Sequence, residues 1–238
     1  MIHLITYGDQ KYENAKKRIC NEAKNTGWFD SITPYGPNDL DNKFKQKFKN
    51  ILSLKRGGGY WIWKSHIIKK KLKEINDNDF LIYLDAGCVI NKKGKDRFFE
   101  YIKLLKNSDK GIISFQMNHI EKTYTTKEIF DYFDVDLNSD IANSGQIIGG
   151  IRIMKKNKHL INIINLESKV LYDNPLLFTD HYNKKQADFF KDNRHEQSIF
   201  SLIRKIHGSI ILDDETWFKI WSCQKAKKMP FLAKRQRR

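Results

Sequence analysis

Phe80-Leu81-Ile82-Tyr83-Leu84-Asp85-Ala86-Gly87-Cys88 is the stretch on which the reading of this chain turns. Five apolar or aromatic residues in a row make a strand with no polar face. Such a strand belongs in the middle of a parallel sheet covered by helices on both sides. Asp85 closes the run, and the small Ala86 and Gly87 behind it let backbone and ligand come close. Ligands of open α/β sheets gather outside the carboxyl ends of the strands, so Asp85 is the first place to look for chemistry. Its carboxylate has two readings: a hard oxygen donor to a divalent cation, or a turn residue capping the next element.

Upstream, residues 2–7 form a short apolar strand stopped by Gly8 and Asp9. Tyr12, Ala15, Ile19 and Ala23 recur at helical steps and predict a helix closing near Gly27. Residues 28–33 read as a second strand, with Pro34, Gly36 and Pro37 in the loop behind it. Phe44, Phe48, Ile51 and Leu52 again have helical spacing, and Gly57, Gly58 and Gly59 separate them from a helix over 60–75. Downstream come a helix near 96–106, a strand over 111–115, and a strand over 146–154 interrupted by Gly149 and Gly150. Helices over 157–171 and 195–207 and a last strand over 209–212 follow. Strand and helix alternate, which predicts an α/β fold: one Rossmann-like domain over 1–221, its mostly parallel central sheet flanked by helices. Residues 222–238 are expected to be a basic surface tail.

With 238 residues, 40% of them apolar and 13% aromatic, the chain can bury a real core, which excludes a disordered protein and a disulfide-stapled miniprotein. Cys20, Cys88 and Cys223 have no CxxC spacing and leave one thiol over in any pairing, which favours a reducing compartment. No apolar run nears the roughly 20 residues of a membrane span, and MIHLITYGDQ has no basic flank before its apolar stretch. A cytoplasmic protein is expected. The net charge of +16 is concentrated: residues 43–73 hold eleven cations and no acid, and 225–238 hold seven and no acid. Two local positive fields point to phosphate-bearing ligands, nucleic acid or an anionic membrane face, or reflect only lysine-rich usage.

Three further motifs carry competing readings. In Arg56-Gly57-Gly58-Gly59-Tyr60-Trp61-Ile62-Trp63-Lys64, glycines ahead of a helix expose N–H groups near its positive end, and Arg56 and Lys64 add charge, which favours a phosphate. The alternative is a hinge beside core tryptophans. Trp63 stands where a nucleoside-triphosphate loop needs glycine, and the last glycine of the dinucleotide fingerprint is absent. Asp192-Asn193-Arg194-His195-Glu196-Gln197 opens a helix either as caps or as a carboxylate base with His195 or Arg194 binding an anion. Asp77-Asn78-Asp79 and Asp134-Val135-Asp136 read as solvated turn acids. There is no Gly-x-Ser-x-Gly, and position 199 is Ile where a zinc-protease helix needs His.

Taken in order, segments 56–64, 81–88, 143–154 and 192–202 resemble nucleotide-sugar-dependent glycosyltransferases of the GT-A type, of the kind found in bacterial polysaccharide clusters and large DNA viruses. The closing Pro230-Phe231-Leu232-Ala233-Lys234-Arg235 is similar to the end of such proteins. The resemblance implies a metal-dependent glycosyltransferase with a UDP-, GDP- or dTDP-linked sugar at the carboxyl edge of the sheet. It also implies Mn²⁺ or Mg²⁺ on the diphosphate through Asp85, although Gly87 replaces the second acid of the usual motif. His207 is either a further metal ligand or an ordinary helix-end histidine. His195-Glu196-Gln197 stands where similar sequences read His-Asp-Gln, and Glu196 is the implied base of an inverting reaction or a donor-sugar contact of a retaining one. Thr6 and Tyr7 are implied nucleoside contacts. Arg56, Tyr60 and Lys64 lie with the diphosphate, and Ala86, Gly87, Gly149 and Gly150 let the sugar approach. The acceptor is a glycan or a lipid-linked glycan, with the basic tail able to touch an anionic inner membrane face and no nucleic acid bound. Two rivals stand beside this: a nucleic-acid-binding module using 43–73 with Tyr60, Trp61 and Trp63, and a sugar-nucleotide nucleotidyltransferase, for which the first strand lacks a glycine-rich loop behind it.

Overall fold

Every side chain of Phe80–Leu84 is buried, and the strand alternates its residues between two cores. A computed structural model describes residues 1–237. The strands are β1 (Ile2–Tyr7), β2 (Ser31–Tyr35), β3 (Phe80–Leu84), β4 (Val89–Ile90), β5 (Ile112–Ile120), β6 (Gly145–Ile147), β7 (Ile151–Lys155), β8 (Ile210–Asp213) and β9 (Phe231–Leu232). The longer helices are α1 (Glu13–Thr26), α2 (Trp63–Glu74), α3 (Lys95–Lys106), α4 (Lys158–Asp173) and α5 (Glu196–His207). β1 lies parallel between β2 and β3, β7 runs antiparallel between β3 and β5, and β6 and β8 both pair with β5. Five of the seven strands therefore share one direction, with β6 and β7 reversed.

Because side chains alternate along a strand, Leu81 and Tyr83 face one side and Ile82 and Leu84 the other. The first side packs on Ile67 and Ile68 of α2, Ile163 and Ile164 of α4, and Ile199 and Phe200 of α5. The second packs on Ile19 of α1 and on Phe98, Ile102 and Leu105 of α3. The expected α/β layering is what the chain adopts.

Four local expectations are corrected. β2 runs to Tyr35 through Pro34, which is tolerated because β2 is an edge strand and needs no second ladder of N–H donors. The strand expected over 146–154 is two strands, and between them Ile148 N–H donates to Phe115 O while Gly149 and Gly150 leave the ladder. The helix expected from residue 60 starts at Trp63, because Gly57 to Trp61 all have positive φ and wind one left-handed turn first. The basic tail is part of the fold: β9 pairs with β4, and Ala226, Met229, Phe231 and Leu232 are buried while Lys225, Lys227 and Lys228 face solvent. Asp79 is also no solvated turn acid. It is buried, with the N-terminal ammonium at 2.6 Å and His3 at 3.3 Å.

Candidate functional site

The carboxyl end of β3 and the start of β7 meet where the Asp85 N–H donates to Gly150 O at 2.8 Å. The approach is tight: a Cβ on Gly150 would lie 2.7 Å from Asp85 Oδ2, so glycine is what lets the carboxylate sit there. Gly149 is clamped from two helices. Its N–H donates to Gln197 Oε1 at 2.9 Å, in the first turn of α5, and its carbonyl accepts from Lys64 Nζ at 3.1 Å, in the first turn of α2. Gln197 is itself fixed by its amide donating to Gln146 Oε1 at 2.7 Å.

Lys64 joins the glycine turn to a ladder of alternating charge. Its ammonium lies 3.4 Å from Asp85 Oδ1 and 3.0 Å from Glu196 Oε2. The other Glu196 oxygen contacts Arg152, whose guanidinium reaches Glu167 at 3.0 Å. The side chains of Lys64 and Glu196 are 3% exposed and those of Arg152 and Glu167 are fully buried, whereas that of Asp85 is 39% exposed. Asp85 is thus the one rung that meets solvent. Burial pulls the Lys64 ammonium below its ordinary range, against the pull of Asp85. Tyr83 donates its hydroxyl to Asp85 Oδ1 at 2.5 Å, and burial together with that carboxylate pushes its pKa well up.

A second acid, which no motif in the sequence marked, organises the expected phosphate segment. Asp180 accepts from the Tyr60 hydroxyl at 2.8 Å, lies 2.8 Å from His195 Nε2, and takes the Arg56 guanidinium at 3.1 Å. Arg56 also reaches Asp192 at 3.2 Å. Burial alone would raise the Asp180 pKa, but His195 and Tyr60 outweigh it and hold the carboxyl below its usual range. His195 is pushed down by its own burial, with Asp180 opposing. Asp180 sits among turns where no periodicity singles out one acid. Arg18 was equally silent in the sequence, and it donates to Ala86 O at 2.9 Å and Cys88 O at 2.8 Å, holding the turn behind Asp85.

Of the residues expected at the site, Lys64, Asp85, Gly149, Gly150, Glu196 and Gln197 come together, and Arg56, Tyr60 and His195 form the adjoining Asp180 cluster. Ala86 is buried and Gly87 carries the C-terminal segment, its carbonyl accepting from Gln236 N–H at 2.8 Å. Thr6 is fully buried and Tyr7 stacks on Trp63 with ring centroids 3.7 Å apart, so neither offers an open face to a nucleoside. The triple glycine is no phosphate cradle in the expected sense: the N–H groups of Gly58, Gly59, Tyr60 and Trp61 all donate to the backbone carbonyls of residues 54–57.

Glu196 is not placed to act as a base toward an acceptor. It is buried, with both oxygens turned to cations. His207 ends α5 at the opposite edge of the sheet, about 17 Å along the helix from Glu196, and cannot join Asp85 around one ion. Asp85 Oδ1 already faces Tyr83 and Lys64, and among the described residues no group of three or more His, Cys, Asp or Glu could hold a metal. A resident Mn²⁺ or Mg²⁺ held by protein ligands does not fit this donor set.

No protein-family model and no curated protein matches the chain. Solved structures do. One is a glycosyltransferase involved in the glycosylation of the major capsid of PBCV-1, 12% identical, with a TM-score of 0.54 over 97% of this chain and 92% of that one. Two further similarities are to the galactosyltransferase LgtC, 10% identical, TM-score 0.46 over 91% and 75%, and to mouse xyloside xylosyltransferase 1, 13% identical, TM-score 0.48 over 93% and 89%. The first likeness spans nearly all of both chains and shows that this chain has the GT-A glycosyltransferase fold.

Proposed function

We propose that the chain transfers a sugar from a nucleotide-sugar donor to an acceptor hydroxyl, with the donor lying along the carboxyl edge of the sheet beside Asp85. The observation that carries this reading is the convergence of Asp85, the Gly149–Gly150 turn and Gln197 at that edge of a GT-A fold. Chain segments far apart in sequence are drawn to one point, and there a half-exposed carboxylate stands above a buried charge ladder. In this reading the solvent-facing oxygen of Asp85 accepts a hydroxyl of the donor, Gly149 and Gly150 admit the sugar to the backbone, and Gln197 holds that turn in place. Lys64 and Glu196 are positioning residues: they hold Asp85 and the turn without touching substrate. Preorganised dipoles and charges of this kind supply several kcal/mol of transition-state stabilisation in transferases and hydrolases alike.

The nucleic-acid reading loses support from the same geometry. Trp63 is buried on Tyr7, Lys64 is buried between two acids, and Tyr60 is bonded to Asp180, so these side chains of 43–73 are not free to stack bases or meet phosphates. The membrane contact is part of the proposal. Lys225, Lys227 and Lys228 face solvent, and Trp217 and Ile220 are exposed on the segment before them, the composition of a surface that touches anionic lipid.

The test is a panel of UDP-, GDP-, dTDP- and CMP-sugars with release of nucleotide as the readout. One donor class is expected to be turned over, and Asp85→Asn to lower that rate by about a hundredfold. No release from any donor, or an Asp85→Asn variant as active as the parent, contradicts the reading.

A further inference from the structure

We propose that Arg194 and Arg235 hold the donor's diphosphate directly, with no divalent cation bridging it to the protein. This rests on the nucleotide-sugar reading and goes beyond it by naming which groups carry the charge. The GT-A fold leads one to expect a metal between an acidic motif and the diphosphate, and this chain departs from that pattern. Gly87 stands in the second acidic position, and Asp85 Oδ1 is already committed to Tyr83 and Lys64.

What the edge offers instead is arginine. Arg194 is half-buried one turn before Gln197, its guanidinium 4.0 Å above the Tyr124 ring and its Nη1 3.8 Å from Met117 Sδ. Neither Arg194 nor Arg235 is in an ion pair among the described residues. Arg235 comes from the C-terminal segment where it crosses the turn behind Asp85, so close that a Cβ on Gly87 would lie 3.2 Å from the Arg235 Cα. That crossing is pinned on both sides. Ala233 N–H donates to Thr216 O at 2.8 Å, Gln236 N–H donates to Gly87 O at 2.8 Å, and Arg18 reaches Gln236 O at 3.3 Å.

Arg235 sits at a φ of 55°, a left-handed conformation that a non-glycine residue adopts at a cost. Burial holds the Arg194 guanidinium below its ordinary range, with Tyr124, Asp192 and Glu121 opposing and the charge of Arg235 adding to it. Arg194 stands one turn before Gln197, which holds Gly149, and Arg235 crosses Gly87, so the two residues flank the glycine turns with no acid in salt-bridge contact with either among the described residues. Guanidinium groups bind phosphate oxygens in pairs of parallel hydrogen bonds, so a diphosphate lying across the glycine turns is the ligand that these two residues suit.

Calorimetric titration of the full chain with UDP, GDP and dTDP, each in EDTA and in Mn²⁺, tests the assignment. The nucleotide that binds is expected to bind within about twofold equally in both conditions, and Arg235→Ala and Arg194→Gln each to weaken it about tenfold or more. Arg235 is exposed, so its variant keeps the fold, and the melting temperature of the Arg194 variant checks the other. Binding that requires Mn²⁺, or arginine variants that bind like the parent, overturns the inference and leaves the transferase reading standing. No binding of any of the three in either condition overturns the inference, and the transferase reading falls with it when the donor panel, CMP-sugar included, also gives no release.

Discussion

Lys64 answers for two carboxylates and a carbonyl from inside the protein, so its removal leaves Asp85 and Glu196 uncompensated at once. Breaking a buried pair in this way costs about 3–5 kcal/mol, and Lys64→Met is expected to lose that much in urea unfolding. Adding Glu196→Gln, which withdraws the buried negative charge, is expected to recover a large part, and a double variant no more stable than the single one would contradict the ladder. Acid sensitivity has its most buried contributors elsewhere, at Asp79 and Glu215. Burial by itself raises both pKa values, but the N-terminal ammonium and the Asn76 N–H at Asp79, and Arg97 and Tyr101 at Glu215, outweigh it and hold both carboxyls low. Groups with depressed folded pKa values contribute stability above their unfolded values, 3.8 and 4.5, that is lost as the pH falls through the folded ones. The melting temperature is expected to drop below about pH 4.5, and Asp79→Asn to make that drop shallower. An unchanged slope would show that Asp79 is not coupled to folding. At this scale the sequence was legible where strand position decides, as at Asp85, and misleading where long-range partners decide. Glu196 reads as a base until Lys64 and Arg152 arrive from elements far away in the chain.

The left-handed turn over residues 57–61 sets how α2 enters the site, because it ends just before Trp63 and Lys64. Gly59 has a φ of 92°, and a Cβ there would meet the Leu52 Cα at 2.7 Å and Ile51 O at 3.0 Å. Gly59→Ala is expected to cost at least about 2 kcal/mol in unfolding and to lower sugar transfer more than that loss explains, since Lys64 is displaced. A variant as stable and active as the parent would show that the turn is merely a linker. Elements with clear periodicity, α1, α3, α4 and α5, were readable from their apolar spacing. This turn was not, because consecutive glycines announce a break without saying which hand the backbone takes, and the N–H groups of Gly58 and Gly59 are taken by carbonyls just upstream. Pro34 hid the end of β2 for the opposite reason: proline argues against a strand except at an edge, and edge status is known only once the sheet order is.

Across the whole molecule, the C-terminal segment is folded back onto the turn behind Asp85. Phe231 is buried against Phe98, β9 pairs with β4, and the chain then passes over Gly87. Phe231→Ala is expected to cost about 3–5 kcal/mol in unfolding, as a large aromatic removed from a packed core does. A loss below about 1 kcal/mol would make the segment the surface tail that its lysines first indicate. Charge concealed it: a run dense in Lys and Arg reads as solvated, while its few apolar residues, Ala226, Met229, Phe231 and Leu232, do the packing. The layering of helices on both faces of a mostly parallel sheet was legible, because it follows from apolar runs and alternation, whereas the split of β6 from β7 and the β4–β9 pair were not. The central claim is that an activated sugar lies on the carboxyl edge between the Asp85 turn and the Gly149–Gly150 turn. Hydrogen–deuterium exchange with and without each nucleoside diphosphate tests it most directly: the account predicts slowed exchange confined to residues 85–88, 148–150, 194–197 and 233–236, and protection elsewhere on the molecule, or none with any nucleotide, would contradict it.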